Sequence, residues 1–71
     1  MSEEVTAPVS GRIWKILVKV GDTVQTEDEL MIVEAMKMEN LIYSPVDGKV
    51  AAIKVAENDQ VEPNQLLIII E

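Results

Sequence analysis

From Gly11 to Val20 the chain alternates apolar and polar positions, with Trp14, Ile16 and Val18 on one side and Lys15, Leu17 and Lys19 on the other, the period of a half-buried strand. Further along, Ala51, Ile53 and Val55 repeat the first set and Ala52, Lys54 and Ala56 stand opposite. The agreement predicts that Trp14, Ile16 and Val18 face the core. Ile13 and Val50 fall out of this phase, which calls for a bulge. "VGDTV" and "ENDQV" each supply a residue that tolerates positive φ, Gly21 or Asn58, followed by an aspartate able to accept from nearby backbone amides, so both predict tight turns. "ELMIVE" and "QLLIII" are apolar on both faces, as befits central strands of a two-layered sandwich or flattened barrel, and their inward phase stays open. No long helical period appears.

These correspondences belong to one repeat. A shift of 37 residues aligns "APVSGRI" with "SPVDGKV" and continues without a gap, giving ten identities among the 28 pairs from Ala7 to Glu34. Solenoids need more than two units, so a duplicated half-domain is the expectation: one domain over 1–71, built from half-repeats 1–34 and 38–71. Each half has room for about four short strands. Two such halves pack most simply about a pseudo-twofold axis in an all-β fold. The rotation that carries Glu34 onto Glu71 carries Met38 onto Met1, which puts the connecting Ala35, Met36 and Lys37 at the pole opposite the chain termini. Those three residues are expected at the tip of a hairpin between strands near 29–35 and 38–43.

Composition narrows the chemistry. The 71 residues contain no cysteine and no histidine, which removes disulfides, the usual zinc ligand sets and the usual general base; no catalytic residue and no metal ligand is assigned. Thirteen acidic against six basic side chains give a net charge of −7, which opposes binding to nucleic acid or to an anionic membrane surface. The N-terminal residues show neither a basic region nor an apolar one and no run approaches membrane-spanning length, so membrane insertion is not expected and the cytoplasm is. The acidic "TEDE" at 26–29 reads as a solvated turn. Gly11, Gly21 and Gly48 read as turn residues rather than a phosphate loop. Trp14, the only tryptophan, reads as core and as a reporter of unfolding.

That leaves the centre of the chain. A hairpin tip ordinarily uses Asn-Gly or Asp-Gly, whereas this one places Met36 and Lys37 there with Met38 next. Flexible, polarizable methionines suit a surface that another protein reads. On spacing and symmetry alone this reading stands level with a plainer one, in which the methionines close the core and the lysine is merely solvated.

The residues "EAMKMEN" resemble the attachment motif of biotinyl carrier domains, an Ala-Met-Lys-Met tetrad whose lysine is modified. "APVSG", "VKVGDTV", "SPVDGKV" and "LLIIIE" are similar to the biotinyl/lipoyl family in the same order, over essentially the whole chain. The resemblance implies a flattened β-barrel of two four-stranded sheets with Lys37 on a protruding hairpin, and a carrier rather than an enzyme. It implies biotin, covalently held on Lys37 after attack of the ε-amine on biotinyl-adenylate made by a biotin protein ligase. It further implies ligase recognition through Glu34, Ala35, Met36, Met38 and Glu39, and delivery of carboxybiotin from a biotin carboxylase to a carboxyltransferase or decarboxylase. Glu34 and Glu39 are expected to favour the ammonium form of the lysine, leaving deprotonation to the ligase. A lipoyl carrier of a 2-oxoacid dehydrogenase complex, whose lysine sits in Asp-Lys-Ala, and an unmodified structural barrel are the alternatives. The uninterrupted "SGRIWKILVKVGD" lacks the inserted thumb of many bacterial acetyl-CoA carboxylase carriers, so the resemblance is to thumbless carriers.

Overall fold

The computed structural model describes residues 2–71. It contains eight strands: β1 (Glu3–Thr6), β2 (Gly11–Ile16), β3 (Thr23–Val24), β4 (Glu29–Ala35), β5 (Met38–Tyr43), β6 (Gly48–Ile53), β7 (Gln60–Val61) and β8 (Leu66–Ile70). They form two antiparallel four-stranded sheets, ordered β1-β8-β6-β3 and β5-β4-β2-β7. The 37-residue shift exchanges these sheets strand for strand. Each sheet takes two strands from either half of the sequence, so neither half can complete a sheet alone.

The bulges lie where the alternation breaks. Register shifts between Ile13 and Lys15 in β2, and between Val50 and Ala52 in β6. The inward phase agrees with the sequence expectation beyond each bulge and fails at Trp14 before it. Ile13, Val50 and Val55 are buried and Ile16, Val18 and Ile53 pack against the core, whereas Trp14 is 40% exposed. An extra residue reverses the facing of a strand, so an alternation counted through it assigns Trp14 to the wrong side.

The turns fix this phase across the two halves. Asp22 accepts from Lys19 N–H at 2.9 Å and Asp59 from Ala56 N–H at 2.9 Å, beside Gly21 (φ 97°) and Asn58 (φ 77°), as the sequence predicts. Gly21 N–H donates to the Val50 carbonyl at 2.8 Å, and Asn58 N–H donates to the Ile13 carbonyl at 2.7 Å. Each turn therefore anchors the bulge of the other half. "TEDE" is also a turn, with Glu27 at φ 73° and Asp28 accepting from Gln25 N–H at 2.8 Å.

β4 and β8 are interior strands of their sheets and supply the centre of the core through Leu30, Met31 and Val33 and their counterparts Leu67, Ile68 and Ile70. Ser44, the buried polar side chain, donates to the Val46 carbonyl at 2.6 Å. Gly11 and Gly48 are not turn residues; they open β2 and β6. A Cβ on Gly11 would lie 2.5 Å from the Glu34 carbonyl oxygen, and one on Gly48 would lie 2.6 Å from that of Glu71. Glycine is required there by close backbone approach.

The molecule measures 32 × 17 × 17 Å. β1 starts opposite Ile70 and ends opposite Leu66, travelling the length of β8, about 16 Å, before Pro8–Ser10 bring the chain to Gly11 beside Glu34. The β4–β5 hairpin tip thus sits at the far end from Glu3 and Glu71. Met1, the counterpart of Met38, lies outside the described residues.

Candidate functional site at the β4–β5 hairpin

β4 and β5 pair in register from Val33↔Asn40 through Glu34↔Glu39 to Ala35↔Met38, leaving Met36 and Lys37 as a two-residue loop. Both have positive φ, 53° and 64°, the mark of the type I′ turn whose twist matches the flanking strands. Each side chain in that left-handed region costs roughly 1–2 kcal/mol relative to glycine. The sequence expectation of a hairpin between 29–35 and 38–43 agrees with these strand ends.

Met36 is 95% exposed and Met38 67%, and Lys37 between them is exposed. The methionines do not close the core. Met38 and Met36 instead border an open recess of about 320 Å³ completed by Val9, Ser10, Ala35 and Asn40. Asn40 Nδ2 makes long hydrogen bonds there, 3.4 Å to the Val33 carbonyl and 3.5 Å to the Met38 carbonyl.

Just below the tip, Arg12, Glu34 and Glu39 are cross-strand neighbours on β2, β4 and β5. Opposed glutamates repel. Arg12 Nη2 lies 3.2 Å from Glu34 Oε1, both side chains about half exposed, and offsets one of the two charges. Among the described residues this is the one ion pair, so the partner of Glu34 is Arg12. With both sides in water, such a pair contributes about 0–1 kcal/mol.

The structure therefore brings Glu34, Ala35, Met36, Lys37, Met38 and Glu39 together on one hairpin end. Arg12, Asn40, Val9, Ser10 and Gly11 join them without having been singled out as site residues. Gly11 did leave a signal, its identity with Gly48 in the repeat. Arg12 left none, because its partner is fixed only by the β2–β4 register.

Comparison with known proteins bears on the family and the fold. The family model described as "Biotin-requiring enzyme" matches residues 1–70. The chain is 50% identical over 64 residues to the biotin carboxyl carrier protein of Streptococcus mutans, covering 90% of this chain and 49% of that protein. It is 41% identical over 66 residues to the mitochondrial methylcrotonoyl-CoA carboxylase subunit alpha of Dictyostelium discoideum, covering 93% of this chain and 9% of that one. Among solved structures, the urea carboxylase of Kluyveromyces lactis superposes with a TM-score of 0.95 at 35% identity, over 100% of this chain and 6% of that chain. The chain thus spans half or less of the curated relatives it matches. A hairpin-borne lysine, two four-stranded sheets exchanged by a sequence repeat, and a family match from end to end have one reading: the chain belongs to the biotin-requiring enzyme family and has its biotinyl/lipoyl fold.

Proposed function

We propose that residues 1–71 form one biotinyl domain of two half-repeats, 1–34 and 38–71, which carries biotin as an amide on Lys37. The observation that carries this reading is the exposed lysine held at the apex of a strained two-residue turn between two exposed methionines. The group fits the site: the amine is accessible, it has no ion-pair partner among the described residues, and the thioethers beside it offer apolar surface for an aliphatic arm.

Lys37 supplies the ε-amine that forms the amide, losing a proton while AMP leaves the acyl carbon activated by a biotin protein ligase. Glu34, Ala35, Met36, Met38 and Glu39 are the surface that ligase reads, with Arg12 paired to Glu34. Once bound, biotin supplies a ureido nitrogen that accepts and gives up a carboxyl group. The domain's own part is to present the attachment point on a rigid barrel, so that a biotin carboxylase and a carboxyltransferase or decarboxylase meet it at high effective concentration. It acts as a non-catalytic carrier in the cytoplasm. No helix among the described residues is long and apolar enough to cross a membrane.

The test is intact mass after incubation with biotin, ATP and a biotin ligase, followed by peptide mapping. A single biotinyl increment on Lys37, absent from Lys37→Arg while the Trp14 unfolding transition is retained, is the expected result. Label on another lysine, or on Lys37→Arg, refutes the assignment; no label on folded protein returns the lipoyl and structural alternatives.

A further inference from the structure

Met36 and Met38 differ from Met31 in one decisive respect: at 95% and 67% exposure their thioethers meet solvent oxidants, whereas Met31 is 0% exposed inside the core. The recess they border also carries the Ser10 hydroxyl and the Asn40 amide, whose own hydrogen bonds are long at 3.4 and 3.5 Å. A thioether makes little use of such donors, and a sulfoxide oxygen is a strong acceptor for them. Oxidation would convert the apolar flanks of the lysine into polar, chiral groups and give them partners in the recess.

We propose that Met36 and Met38 form a reversible peroxide-oxidation site that switches off modification of Lys37, an inference that rests on the assignment of Lys37 as the attachment point. In each oxidation the thioether sulfur attacks a peroxide oxygen, the O–O bond breaks, an S–O bond forms and water leaves; sulfur is oxidised by two electrons and the peroxide reduced. The reverse step takes two electrons from a dithiol, which becomes a disulfide as the sulfoxide oxygen departs as water.

The experiment treats the unmodified protein with graded hydrogen peroxide, removes the oxidant with catalase, and follows oxygen uptake by peptide mapping and the initial rate of ligase-catalysed biotinylation. Met36 and Met38 gain oxygen before Met31, the labelling rate falls about tenfold or more, and the two stereospecific methionine sulfoxide reductases with a dithiol restore it. In a Met36→Leu/Met38→Leu protein, peroxide leaves the rate at that variant's own untreated value. Unchanged labelling of protein shown to carry both sulfoxides overturns the switch, as does oxidation of Met31 first, or a loss that the reductases fail to restore. Absence of label on untreated, folded protein instead overturns the Lys37 assignment, and the switch with it.

Discussion

Gly11→Ala and Gly48→Ala impose nearly the same steric insult at opposite ends of the molecule. The added methyl on residue 11 would lie 2.5 Å from the Glu34 carbonyl oxygen, 2.9 Å from Val33 Cγ1 and 3.2 Å from Ala35 Cβ; on residue 48 it would lie 2.6 Å from the Glu71 oxygen and 2.8 Å from Ile70 Cγ2. Restoring an ordinary contact of about 3.4 Å requires the Glu34 carbonyl to retreat by about 0.9 Å. Overpacking of this kind costs about 1–3 kcal/mol, which lowers the melting temperature by at least about 4 °C in a domain this small. Both variants are expected to lose stability in that range. Only at residue 11 does the displacement act on β4 three residues before Lys37. A misplacement near 1 Å lowers a group-transfer rate by up to about 100-fold, so Gly11→Ala should be biotinylated about ten- to 100-fold more slowly at a temperature where both variants remain folded, with Gly48→Ala near wild type. Circular dichroism melts and initial labelling rates on the same samples decide it. Equal labelling by the two variants would show that the hairpin absorbs the shift, or that stability alone governs the rate, and would refute the reasoning.

Replacing Met36-Lys37 by Asn-Gly keeps the type I′ turn, relieves the left-handed strain and should raise unfolding free energy by about 1–3 kcal/mol in urea titrations; no gain would mean that the turn is not strained. Asp47 is held below the ordinary aspartate range by the Thr26 N–H (2.7 Å) and then by the Thr26 hydroxyl (3.0 Å). A depressed folded-state value means that its contribution is present above the free aspartate value of about 3.9 and is lost as pH falls through the folded one. Asp47→Asn should accordingly flatten the fall of stability on acidification below about pH 4, and an unchanged slope would remove the linkage. Ile13→Ala, at a fully buried position, should cost about 2–5 kcal/mol and more than Trp14→Ala; the opposite order, read by circular dichroism, would return Trp14 to the core.

The strand ends of the central hairpin, the turns at Gly21 and Asn58, and the exchange symmetry of the two sheets were legible because each rests on residues close in sequence or on an ungapped repeat. The facing of Trp14 was not. It depends on a bulge held by a hydrogen bond from Asn58, a residue 44 positions further on, and alternation alone cannot show how many residues a bulge absorbs. The role of Gly11 escaped for a related reason: a close approach to the Glu34 carbonyl is a fact about two strands. Two methionines at a turn marked the tip as unusual without deciding between a surface for a partner and a closed core, and the reading of Lys37 as an attachment point came from the resemblance of "EAMKMEN" to the biotinyl motif, while the Arg12 contact with Glu34 appears only once the register is known.

The exchange of the two sheets has a topological corollary. Ala35 and Met38 close one end of the barrel across a two-residue loop, and at the other end Glu3 stands opposite Ile70 in the same kind of antiparallel pairing. Joining Glu71 back to Met1 through Ala-Met-Lys would write "IIEAMKMSE" beside the existing "IVEAMKMEN". A ring closed in this way could be reopened at a surface turn and would present a lysine at either end of a 32 Å rod. On the assignment proposed for Lys37, three inserted residues would turn a one-armed carrier into a two-armed one.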